Sequence, residues 1–376
     1  MQAYLEPWTI GVEEEYQIID PHTRELAPAV EHILTHIDPI FRANVQHELQ
    51  LSQIEIATPV CQNLAEVRNE LTQARHHVIT SATRAKYYIA AAGTHPFSHW
   101  NMQHITPHQR YFSMQQQYQQ LINEQIIMGC HIHIGCRDHT LALQIVNRAR
   151  LWLAPILALS ANSPYWLGND TGYASYRSVI WWRWPLSGPP PYSPNISEYE
   201  TLIQTLLNTQ IIEDTTHIYW DIRLSERYPT IEFRITDVCM TVDETIMLTG
   251  LIRALVQTCA EQAKMNVPFP YVPSEVLKAA HWQAARYGLE GDLIDVNTSY
   301  VRPAHAVIED FLTFLQPALQ LQNEWHEVSH QVAITMREGN GAMRQRAIYQ
   351  ATGQYQSLVD FIVQETAKGI TASLAI

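Results

Sequence analysis

Gly129-Cys130-His131-Ile132-His133-Ile134-Gly135 sets two imidazoles two residues apart in an otherwise apolar run. Side chains alternate across a β-strand, so His131 and His133 share one face while Ile132 and Ile134 take the other. The pattern recurs twice. Glu13 and Glu15 stand in residues 9–19, with Val12, Tyr16 and Ile18 on the alternate positions, and Glu232 and Arg234 alternate with Ile231, Phe233 and Ile235. Three strands of this kind predict a sheet with one apolar side and one side lined by carboxylates and imidazoles.

Glu55, on the apolar run 51–58, adds a fourth acid, so Glu13, Glu15, Glu55 and Glu232 share the polar face with one fixed cation, Arg234. Crowded carboxylates raise one another's pKa, and burial adds to the penalty. Divalent cations relieve both. Hard oxygen ligands with one or two neutral imidazoles suit magnesium or manganese, and several carboxylates around such ions point to a phosphate-bearing substrate. Glu48 lies seven positions before Glu55, an odd spacing that puts the two on opposite faces of a regular strand. It joins the site only through a bulge or a strand beginning after it.

Each pair has a blander reading taken alone: solvation of an edge strand for Glu13 and Glu15, a core hydrogen bond for one of the histidines, a structural ion pair for Glu232 and Arg234. Their joint occurrence on three apolar strands favours a site. His133 and His95, the latter in Thr94-His95-Pro96, are candidates for substrate contact, although a turn hydrogen bond also explains His95. Arg177, in Ser175-Tyr176-Arg177, is a candidate anion clamp.

The chain has 376 residues, enough to bury a sizeable core, and its formal net charge of -13 (24 Lys plus Arg, 37 Asp plus Glu) disfavours nucleic acid and anionic membranes as partners. Five cysteines without CxxC spacing point to a reducing cytoplasm. No secretory signal is read at the start, and the longest apolar run, 151–159, is about half of the roughly 20 residues a membrane helix needs. No P-loop, dinucleotide fingerprint or nucleophile elbow occurs. A zinc hydrolase using His131, His133 and a carboxylate stays open, against the surplus of carboxylates.

Strands are expected at 9–19, 50–58, 88–92 and 125–136, and helices at 64–82, 141–159 and 246–263. Residues 160–195 read as a long aromatic loop suited to a lid. Ser197 with Glu200, and Thr241 with Glu244, read as capping boxes. After Phe269 almost everything reads as helix. We therefore expect a single α+β domain, 1–376, with a helical C-terminal part from about 270 packed over a largely antiparallel sheet.

Gly11-Val12-Glu13-Glu14-Glu15, Gln53-Ile54-Glu55-Ile56-Ala57-Thr58, Gly93-Thr94-His95-Pro96-Phe97, the His-x-His strand, Ser160-Ala161-Asn162-Ser163-Pro164, Trp220-Asp221-Ile222-Arg223 and Glu232-Phe233-Arg234 resemble, in this order, the type 2 glutamate-cysteine ligase family, and most of all its carboxylate-amine ligase (YbdK-like) branch. The resemblance implies a glutamine synthetase-like fold, a curved antiparallel sheet forming a half-barrel with helices outside, and a site for ATP with Mg2+ or Mn2+. It places Glu13, Glu15, Glu55, His131 and Glu232 on metal ligands, Glu48 on a further acidic ligand, and Arg234 beside the transferred phosphate. The implied activity joins a carboxylate, glutamate or an analogue, to an amine through an acyl phosphate. A ligase-like binding protein with little turnover is the alternative. A homodimer is the expected oligomeric state.

Overall fold

The computed structural model describes residues 8–370; residues 1–7 and 371–376 lie outside the described residues. Its centre is a seven-stranded antiparallel sheet. β1 (Ile10–Ile19) pairs along one edge with β3 (Gln53–Ala57), which in turn pairs with β2 (Val45–His47). Along its other edge the first half of β1 pairs with β5 (Cys130–Gly135) and the last residues with β4 (Tyr88–Ala90). Beyond β5 lie the strands Thr230–Phe233 and Ile222–Leu224.

The alternation works as the sequence predicts. Val12, Ile132, Phe233 and Ile222 stand in register on one face, all essentially inaccessible, and helices Leu64–Arg84, His139–Ala149 and Val242–Lys264 pack over that side. Helices Ala304–Leu321 and Trp325–Glu338 cover Val242–Lys264 in a further layer. Glu14, between Glu13 and Glu15, falls on the apolar face by parity. Its carboxylate accepts from Arg75 Nη2 (2.6 Å) and Nε (2.9 Å), from Thr245 Oγ1 (2.6 Å) and from the Tyr16 hydroxyl. Arg75 also donates to the carbonyls of Cys239 and Met240, so one buried ion pair ties β1 to two helices. Burying such a pair is costly unless every hydrogen bond is made, as here.

Several expectations need correction. The helix expected at 141–159 is two helices, His139–Ala149 and Leu153–Ser160, joined by a 3-10 turn; Pro155 lacks an N–H and fits the first turn of a new helix better than the interior of an old one. The helix expected after Ser197 begins at Ile196, capped by Asn195, whose side chain accepts from Glu198 N at 3.0 Å; the Thr241 and Glu244 capping box forms as expected. The C-terminal part contains a hairpin, Asp292–Asp295 with Tyr300–Pro303, whose turn is held by Asp295 accepting from Asn297 N. Residues 160–195 are an ordered segment that includes the helix Tyr176–Trp181.

Candidate active site

The register puts the polar residues in rows. Glu15 stands opposite Glu55 across the β1–β3 pair, Glu13 opposite His131 across β1–β5, and Gly11, His133, Glu232 and Arg223 form a third row. Directly opposed residues of antiparallel strands project to the same face, so these side chains share one floor. Over it lies a cavity of about 740 Å³, lined from the other side by Arg110, Tyr111, Met114, Arg177, Trp181, Trp184 and Tyr219.

Three subgroups occupy the floor. In the first, carboxylate oxygens of Glu15, Glu48 and Glu55 lie within 4.8 Å of one another. Glu48 belongs because β2 ends at His47 and the chain turns back before β3 begins at Gln53, so the odd spacing to Glu55 spans two antiparallel arms and parity along one strand does not apply. Burial and the neighbouring Glu15 push the Glu48 carboxyl up to about 8, and burial with Glu13, Glu48 and Glu15 drives Glu55 well above the carboxylate range. Glu15 also accepts from Gly129 N at 2.6 Å. Three oxygen donors this close, strained by one another's charge, fit a hard divalent cation such as magnesium or manganese.

In the second, Glu13 lies between two imidazoles: its Oε2 is 3.2 Å from His131 Nδ1 and its Oε1 3.4 Å from His133 Nε2. Burial works against its ionisation, yet the two histidines hold its pKa well below the usual value. Burial and Arg234 lower His131, whereas for His133 the effect of burial is outweighed by Glu13 and Glu232, and its pKa rises. His133 Nδ1 meets Thr230 Oγ1 at 3.0 Å.

In the third, Glu232 bridges two arginines. Arg223 donates to it from Nε at 2.8 Å and Nη2 at 3.2 Å, and Arg234 from Nη1. Burial alone would raise its pKa, but Arg234 and Arg223 hold it far below the carboxylate range. Glu232 is thus bound to guanidinium groups and stands apart from the carboxylate triad. Arg223 was not among the sequence-derived candidates; the signal was available, since it ends the Trp220-Asp221-Ile222-Arg223 motif, but its role depends on pairing opposite Glu232.

Arg177 lies at the back of the cavity, 2% exposed, donating to the carbonyls of Arg234 (3.2 Å) and Ile235 (3.4 Å) with Asp237 at 3.9 Å. Asp237 in turn accepts from Asn162 N, Ser163 Oγ and Ser175 Oγ, fixing the segment that carries Arg177. Gly129 makes room for it: a Cβ there would stand 2.3 Å from Arg177 Nη2. His95 is elsewhere. Its Nε2 donates to Arg24 O at 2.9 Å and its Nδ1 accepts from Phe97 N and Ser98 N, so both ring nitrogens are used in a turn outside the cavity lining, and the substrate-contact expectation is corrected to a structural one.

The sequence from residue 9 to 365 matches the model of glutamate-cysteine ligase family 2. A protein of Rhodopirellula baltica named "Putative glutamate--cysteine ligase 2" is 39% identical over 363 residues, covering 95% of this chain and 96% of that one. Two crystal structures share the fold at a TM-score of 0.70: a bifunctional glutathione synthetase from Pasteurella multocida (17% identity; 96% of this chain, about half, 52%, of that one) and a glutamate–cysteine ligase from Francisella tularensis in complex with AMP (14% identity; 97% and 90%). The fold is glutamine synthetase-like, with an open antiparallel sheet and helices. The chain belongs to glutamate-cysteine ligase family 2 and is a carbon–nitrogen ligase.

Proposed function

We propose that the protein is an ATP-dependent carboxylate-amine ligase that joins glutamate, or an analogue, to an amine through an acyl phosphate. The observation that carries this reading is the division of one cavity into a carboxylate triad, Glu15, Glu48 and Glu55, and an arginine flank of Arg177, Arg223 and Arg234. Magnesium or manganese held by the triad, with Glu13 and His131 beside it, would offset the charge of the ATP phosphates. The γ-carboxylate of glutamate attacks the γ-phosphoryl group of ATP in line, and Arg234 stabilises the phosphoryl oxygens in flight. Glu232 sets the direction of both Arg223 and Arg234. Arg177, walled by Trp181, holds a substrate carboxylate. The amine then attacks the acyl carbon and phosphate leaves. Water must be excluded meanwhile, and the segment 160–195 covers the cavity for that purpose.

A zinc site of His131, His133 and Glu13 is disfavoured because, among the described residues, the set of three ligand atoms lying within 4.8 Å of one another is that of Glu15, Glu48 and Glu55, all carboxylate oxygens. The test is ADP release by the purified protein with Mg2+ and ATP, measured with glutamate and an amine together and with each alone, with mass spectrometry of the product. Release that requires both supports the ligase; ATP affinity that is the same in chelator and in Mg2+ would remove the metal from the scheme. Arg234→Lys keeps the charge but loses the planar fork, and turnover should fall well beyond any change in ATP affinity. A lysine variant with unchanged kcat would take Arg234 out of the phosphoryl step.

A further inference from the structure

Behind the arginine flank lies a carboxylate that pairs with none of it. A bend at Asp221 divides the strands Tyr219–Trp220 and Ile222–Leu224, and the three cavity arginines hang on its surroundings. Its carbonyl accepts from Arg234 N at 2.9 Å, and Arg223 follows two residues later. Trp182, which caps the helix carrying Arg177, donates from its indole to Asp221 Oδ1 at 3.4 Å. Burial lowers the pKa of Arg177, and Asp221 is among the carboxylates that oppose the shift. The Asp221 side chain is 1% exposed and stands outside the cavity lining, so its charge needs partners within the protein. Among the described residues, its second oxygen finds His281: Nδ1 lies 2.9 Å from Oδ2.

His281 stands on the helix Ser274–Tyr287 and is equally buried. A carboxylate only accepts, so Nδ1 donates. Its other ring nitrogen, Nε2, is buried and has no hydrogen-bond partner among the described residues. An orphaned polar atom is a cost that a leucine filling the same space would avoid. What the imidazole supplies and leucine cannot is the bond to Asp221, and the Trp182 ring, stacked on it at 6.4 Å and 27°, sets its plane. Without that bond Asp221 would hold a buried negative charge with one oxygen free, and the cations to hand are the cavity arginines.

We propose that His281 is a positioning residue for the ligation: its bond to Asp221 keeps that carboxylate off the cavity arginines and leaves Arg177 and Arg234 turned to the anionic groups of the substrates. The inference rests on the ligase reading above. His281 touches no substrate and acts through Asp221.

Glutamyl hydroxamate formation by the full chain from glutamate, ATP, Mg2+ and hydroxylamine reads the reaction up to capture of the acyl phosphate. His281→Leu, studied where its far-ultraviolet circular dichroism matches the wild type, should lower kcat/KM for glutamate by roughly tenfold or more and leave KM for ATP within about twofold. His281→Met should show the same loss and serves where the leucine variant does not fold. His281→Asn, which sets an amide N–H near the place of Nδ1, should recover most of the loss. Adding Asp221→Asn to His281→Leu should recover much of it too, because a neutral amide does not compete for a guanidinium. A folded His281→Leu or His281→Met protein with the wild-type kcat/KM overturns the inference. So does an equal rise in KM for ATP, the sign of a cavity disturbed as a whole, or a loss that neither His281→Asn nor the double variant repairs, which makes His281 a packing residue only. Wild-type protein that forms no hydroxamate overturns the ligase reading and this inference together, whereas hydroxamate formed equally by wild type and His281→Leu overturns this inference alone.

Discussion

Glu232→Gln should destabilise the protein, with or without metal. The side chain is 3% exposed and takes bonds from Arg223 and Arg234, whose side chains are 13% and 14% exposed. Glutamine keeps the shape and removes the charge, leaving two largely buried guanidinium groups beside each other at the cavity floor. Breaking a buried pair in this way costs about 3–5 kcal/mol. Unfolding entropy of about 2.1 cal/mol/K per residue over 376 residues comes to ~0.8 kcal/mol/K, so Tm should fall by roughly 4–6 °C. The assay is thermal unfolding in chelator and in Mg2+, with ATP affinity measured in parallel. Because the folded pKa is depressed far below the carboxylate range, the stability that Glu232 contributes is present above the ordinary carboxylate value of 4.5 and is lost only as pH falls from there toward the folded value; the gap between wild type and variant should persist at pH 4 and narrow at more acid pH. Adding Arg223→Met to the variant should restore part of the loss, since one stranded cation is then gone. An unchanged Tm in chelator, together with weakened Mg2+-dependent ATP binding, would refute this reasoning and return Glu232 to the metal ligands.

Three further expectations follow from the same geometry. Glu48→Gln should act with the opposite sign, raising the Tm of the metal-free protein at pH 7 while weakening Mg2+-dependent ATP binding: a carboxyl pushed up to about 8 loses stability as pH rises from its unfolded value through 8, so the gain should vanish near pH 4. Gly129→Ala puts a methyl group against Arg177 Nη2 and should lower kcat/KM at least tenfold with a normal far-ultraviolet spectrum; an unaffected enzyme would show that Arg177 is free to move. His95, whose pKa burial lowers to about 3, folds neutral, so stability should be lost as pH falls below 6.5, by about 2 kcal/mol at pH 5, and urea unfolding of His95→Asn should show a flatter profile between pH 7 and 5.

The sequence by itself determined which side chains share a face. Strand alternation and helix period are local properties, so the apolar and polar sides of β1, β3 and β5, the helix Leu64–Arg84 and the capping box at Thr241 could be read directly from residue spacing. The same locality explains the departures in fold: a cap two residues upstream at Asn195 and a hairpin in the C-terminal part hang on single turn residues that periodicity does not see.

Which partner each charge finds was decided only by the tertiary structure, because it depends on the register between strands distant in sequence. Of three consecutive glutamates, Glu13 meets two histidines, Glu14 meets Arg75 on the far side of the sheet, and Glu15 meets Glu55. Glu48 reaches the triad through a chain reversal that spacing along one strand cannot represent. Glu232 looked like one more acid on a crowded face, and became the counter-charge of two arginines once the neighbouring strand set Arg223 opposite it.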